Sequence, residues 1–83
     1  MEDVAERFGS QTLMAERLGV SIGFVSDVVR GRRLLSPRMA ARIAWTLRDT
    51  ALGKEILEDQ IRRRGEEWMA VYQSAYRALE RLG

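Results

Sequence analysis

The chain has 83 residues, a net charge of only +2 and 46% hydrophobic content, which fits one domain with a modest core. It contains no cysteine and no histidine, so a disulfide framework and a thiolate or imidazole metal site are excluded and the commonest general base is missing. No apolar run approaches the ~20 residues needed to span a bilayer, and the opening Met-Glu-Asp-Val lacks the basic start of a secretory leader; a soluble, cytoplasmic chain with no membrane association is expected.

In chain order, the first element is short. Glu2 to Phe8 has room for about two helical turns before Gly9. Ser10 is a helix N-cap, able to accept from a backbone N–H that has no partner inside the helix. Leu13, Met14, Ala15 and Leu18 then supply an apolar face, with Glu16 and Arg17 pointing outward. Gly19 ends this helix, because glycine adopts positive φ without a Cβ clash. Val20 turns into the core and Ser21 caps the next helix. Val25, Val28 and Val29 bury that helix until Gly31, while Ala15 is small where the two helices cross. Ile22, Gly23, Phe24, Ser26, Asp27 and Arg30 are left on the outer faces.

Charge is unevenly distributed. Residues 21–48 hold six arginines (Arg30, Arg32, Arg33, Arg38, Arg42 and Arg48) against a single acid, Asp27. Arginine forms forked bonds to phosphate and to guanine edges better than lysine does. Arg30, Arg32 and Arg33, next to the second capped helix, suit phosphate or groove contact; Arg42 and Arg48 fit an ordinary solvated face.

The run Gln11-x-x-x-Ala15-x-x-Leu18-Gly19-Val20-Ser21-x-x-x-Val25-Ser26-x-x-x-x-Gly31 resembles the helix-turn-helix of the phage-repressor family, of Cro and lambda-repressor type, also called the xenobiotic-response-element family. The likeness covers Ser10 to about Leu47, a little under half the chain. It implies an all-α fold, a compact lambda-repressor-like helix-turn-helix bundle of about four to five helices with an extended C-terminal helical segment. It also implies a reading head: Gln11 near the phosphate backbone, Ser21 capping the recognition helix, and Ile22, Gly23, Ser26 and Asp27 where the family reads bases. Phe24 would lie against sugar and backbone, with Arg30, Arg32, Arg33 and Arg38 as further DNA contacts. The short first segment departs from the family, whose first helix is usually longer. The head is also apolar: residues 22–27 hold no Arg, Asn or Gln for a bidentate base contact, so specificity falls to the arginines or to DNA shape.

Past the arginine loop, Leu34 and Leu35 fold back on the core. Ser36-Pro37 starts a helix, with Ser as cap and Pro at the first helical position. Met39, Ala40, Ile43, Ala44 and Leu47 line its inner face, and Trp45 sits off the centre of that stripe as a core-edge or interface residue. Another helix begins near Thr50, with Ala51, Leu52, Ile56 and Leu57. Ile61, Gly65, Trp68, Tyr72, Ala75, Leu79 and Leu82 are then spaced alternately by four and three residues, the repeat of a seam between supercoiled helices. Met69, Val71 and Tyr76 widen that surface. Gly65 either interrupts a long helix at ~1 kcal/mol or marks a break before a new helix led by Glu66 and Glu67. Arg62, Arg63 and Arg64 cannot share one phosphate line and are expected to pair with Glu58, Asp59, Glu66 or Glu67 at helical spacing.

The expected organisation is a DNA-binding region over residues 1–50 and a C-terminal helical segment over 51–83 within the same compact domain. The segment is expected to dimerise through Ile61, Trp68, Tyr72, Ala75, Tyr76, Leu79 and Leu82. The function so implied is a homodimeric, sequence-specific regulator of phage or mobile-element type, a repressor that binds a palindromic double-stranded operator. The alternative is an antitoxin or anti-repressor that holds another protein through the C-terminal helix and autoregulates through DNA. Enzymatic activity, a catalytic residue, a metal and a cofactor are not expected, since no nucleophile–base pair, phosphate-cradling loop or metal constellation is present; Lys54, Glu55, Glu58 and Asp59 make up a solvated helix face.

Overall fold

Four helices begin at a side chain that accepts from the backbone three residues on: Ser10 Oγ from Leu13 N at 3.1 Å, Ser21 Oγ from Phe24 N at 3.0 Å, Ser36 Oγ from Met39 N at 3.1 Å and Asp49 Oδ1 from Leu52 N at 2.9 Å. Each cap satisfies one of the N–H groups that a helix start leaves without an internal acceptor. The computed structural model describes residues 1–82, the side chain of Leu82 excepted. Its elements are α1 (Glu2–Phe8), α2 (Gln11–Leu18), α3 (Ile22–Val29), α4 (Pro37–Leu47), α5 (Thr50–Arg64), a 3₁₀ turn (Glu66–Trp68) and α6 (Met69–Leu82). The protein is all-α; no strand occurs among the described residues. Among the described residues six α-helices stand where four to five were expected, because the C-terminal segment is split.

The fold divides between Leu34 and Leu35 into two units. The expected boundary near residue 50 is therefore too late, since α4 packs with α5 and α6. In the first unit, α1 buries Val4, Ala5 and Phe8, α2 buries Met14, Ala15 and Leu18, and α3 buries Val25 and Val28. Leu13 is 45% exposed and Val20 and Val29 are half-buried, so the apolar stripes are narrower than their sequence suggests. Gly19 sits at φ 70°, and the N–H of Val20 behind it bonds to the Ala15 carbonyl at 3.0 Å, closing α2 and turning the chain into α3.

In the second unit, α4 buries Ala40, Ala41, Ile43 and Ala44, α5 buries Gly53, Ile56, Leu57, Gln60 and Ile61, and Tyr72, Ala75 and Leu79 of α6 are buried as well. Two long side chains hold its first residue. Gln60 Oε1 accepts from Leu35 N and the Tyr72 hydroxyl donates to Leu35 O, both at 2.8 Å. Gly53 permits a close approach: a Cβ there would stand 2.7 Å from Ala44 Cβ and 2.8 Å from both Leu79 methyls.

Gly65, at φ 108° and ψ 154°, ends α5. The expected seam is thus not one helical stripe. Ile61 lies on α5 and Tyr72, Ala75 and Leu79 on α6, and all four are buried within the single chain. Of the aromatic surface expected to meet a second copy, Tyr72 is already covered within the chain, as are Ile61, Ala75 and Leu79, a correction to these four as dimer contacts. Trp68 keeps 36% exposure, with the Arg64 guanidinium 4.6 Å from its ring centroid. Tyr76 is half-buried; burial, and then the Glu58 carboxylate, raise its phenol above the ordinary pKa. The Leu82 side chain lies outside the described residues. Of the three arginines, Arg63 meets Asp59 at 2.9 Å and Arg62 meets it at 3.6 Å, as helical spacing predicted.

Candidate nucleic-acid interface

The first unit places a short capped helix at its surface with its outer face uncovered. Ser21, Ile22 and Gly23 are exposed; Phe24, Ser26 and Asp27 are half-buried. Ile22 is 53% exposed, a large apolar side chain with no covering partner at the start of α3. The Ser21 cap serves Phe24 N, and the N–H groups of Ile22 and Gly23 have no acceptor inside the helix, which makes this end of α3 mildly electropositive.

The arginine loop is bonded to that helix. The Asp27 carbonyl accepts from Arg32 N at 2.8 Å and from Arg33 N at 3.3 Å, Arg30 N donates to Ser26 O at 3.0 Å, and Gly31 N donates to Val28 O at 3.1 Å. The chain from Arg30 to Arg33 is therefore wrapped onto the last turn of α3 rather than trailing from it. Arg30, Arg32 and Arg33 are exposed, and no described acid forms an ion pair with any of them. Arg33 also stacks over Phe24, its guanidinium carbon 5.2 Å from the ring centroid, a contact that restrains both side chains. Phe24 thus supports an arginine while remaining half-buried on α3.

Gln11 opens α2 half-buried. It belongs to the same unit as Ser21, Ile22, Gly23, Phe24, Ser26, Asp27, Arg30, Arg32 and Arg33. Arg38 belongs to the second unit, exposed on the first turn of α4. The anchoring of the loop by the Asp27 carbonyl is the feature that sequence reasoning missed. A main-chain acceptor carries no residue signature; only Gly31, at φ 75°, marks the reversal.

Chemically, the surface offers fixed positive charge, a few hydroxyl and carboxylate groups and one aliphatic knob. Arginine serves phosphate oxygens or guanine, Ser26 can bond to most base edges, Asp27 can accept from cytosine N4, and Ile22 fits a thymine methyl. No helix among the described residues is long and apolar enough to cross a membrane. Comparison with protein families, with curated proteins and with solved structures finds no match to this chain.

Proposed function

We propose that the first unit docks on double-stranded DNA with α3 in the major groove and with Arg30, Arg32 and Arg33 at the flanking phosphates. On this proposal the protein is a sequence-specific transcriptional regulator, a repressor of phage or mobile-element type acting as a homodimer. The observation that carries it is the pair of hydrogen bonds that Arg32 N and Arg33 N donate to the Asp27 carbonyl, which holds arginines free of ion pairs with described acids beside an uncovered, side-chain-capped helix. Preset charge next to a groove-sized helix is the combination that positions a reading head. Base discrimination rests on Ile22, Gly23, Ser26 and Asp27, with DNA shape supplying the remainder.

Selection of bound sequences from random duplex DNA tests the proposal. The expected product is a sequence with two-fold symmetry and half-sites about one helical turn, ~34 Å, apart, bound by a particle of twice 9.5 kDa in light scattering. A monomer throughout, enriching no symmetric sequence, would remove the operator argument. An empty selection would favour instead the antitoxin-like alternative, in which the chain holds another protein; Trp68, Met69 and Val71, exposed at 36%, 51% and 48%, support that reading.

A further inference from the structure

The second unit carries a groove of about 500 Å³ between α4 and α6, lined by Arg38, Ala41, Arg42, Trp45 and Ala78. Arg38, Arg42 and Trp45 follow one another by four and three residues, so they share one face of α4. Ala41 and Ala78 are small and leave the floor low. Trp45 stands 49% exposed, a large apolar surface at the mouth of the groove. Arg38 and Arg42 are exposed and form no ion pair with a described acid; Asp59, on α5, is engaged by Arg62 and Arg63.

We propose that this groove receives an acidic, amphipathic segment of another protein. An aliphatic or aromatic side chain seats against Trp45 above the two alanines, and flanking carboxylates meet Arg38 and Arg42. Tryptophan and arginine are the side chains that most often dominate a protein interface, and an amphipathic helix is a common occupant of such a groove. Charge decides between occupants. A second copy applying the same face across a two-fold axis would bring Arg38 and Arg42 against their own counterparts, with no acid in the lining to offset them. A DNA backbone would answer the arginines but leave the indole and the alanine floor facing charged phosphates. The groove lies wholly in the second unit, and its role does not depend on DNA docking by the first.

The test is selection from a random peptide library displayed against the full chain, followed by affinities for Trp45→Ala and Arg42→Glu. Both sites are exposed, and an unchanged helical circular dichroism spectrum confirms folding. Enriched peptides are expected to carry Asp or Glu on both sides of an apolar anchor. Each substitution is expected to weaken them roughly tenfold or more, as loss of an interface anchor does, and peptides with Glu changed to Lys should regain affinity for Arg42→Glu. No enrichment, enrichment of peptides without acids, or affinities untouched by the two substitutions would overturn the proposal. So would weaker binding of arbitrary duplex DNA by Trp45→Ala, which would assign the groove to phosphate contact, or loss of self-association in that variant, which would assign it to a second copy.

Discussion

The Tyr72 hydroxyl donates to the Leu35 carbonyl at 2.8 Å across 37 positions of sequence, while Gln60 Oε1 takes the N–H of the same residue. Leu35 is 1% exposed and belongs to no helix. Its two main-chain groups therefore have no water and no helical neighbour to satisfy them, and two side chains do so instead. Tyr72→Phe keeps the ring and leaves a buried carbonyl unpaired, at a cost of about 1–3 kcal/mol. In a chain of this size that lowers Tm by roughly 4–8 °C per kcal/mol, readable in a thermal melt. Gln60→Leu should do the same through the N–H. Melting curves that overlay the wild type would mean these bonds add nothing net.

Gly53→Ala separates helix propensity from packing. Alanine is favoured over glycine by about 1 kcal/mol inside a helix, so a solvent-facing position would gain stability. Here the added methyl meets Ala44 Cβ at 2.7 Å and the Leu79 methyls at 2.8 Å, and overpacking of that kind costs about 1–3 kcal/mol. Destabilisation is expected in urea unfolding. Stabilisation would show that α5 and α6 yield readily at this crossing.

Gly23→Ala should behave in the opposite way. A Cβ at Gly23 meets only Ser21 Oγ, at 3.9 Å, so α3 gains about 0.5–1 kcal/mol from propensity and Tm rises. The same methyl projects from the face proposed to enter the groove, and affinity for the selected DNA should fall. A rise in Tm with unchanged affinity would put Gly23 away from the bases.

Arg32→Ala and Arg33→Ala should weaken binding to every duplex alike. Each is expected to lower the slope of log affinity against log salt by about 1 for every phosphate left without its arginine. Ser26 and Asp27 substitutions should instead change sequence preference. Titrations at several salt concentrations, on selected and scrambled duplexes, distinguish the two effects. An unchanged slope for both arginine variants would move the phosphate-binding residues elsewhere.

What was legible in the sequence follows the range of each interaction. Ser10, Ser21 and Ser36 cap helices three residues ahead, and Gly19 turns the chain where it stands, so the placement of α2, α3 and α4 could be read from neighbours alone. The spacing of Tyr72, Ala75 and Leu79 marked an apolar face, and the fold buries it within the chain where a second copy was expected. Spacing does not name the partner of a face, and Gly65 decided it by turning α6 back against α4 and α5. Gln60 went unnoticed because a polar residue on a charged helix reads as solvated; its role exists only once Leu35 is brought within 2.8 Å. Leu13 misled in the other direction, an apolar residue in a helical stripe that remains 45% exposed.

The clasp on Leu35 also sets an order in time. The links within the first unit join helices adjacent in the chain, and local links of this kind form early. Leu35 waits for donors and acceptors 25 and 37 positions further on. As the chain leaves the ribosome, the first unit can assemble while Tyr72 is still unmade. The Gln60 bond arrives with α5, and the Tyr72 bond is added only when α6 emerges and closes over Leu35.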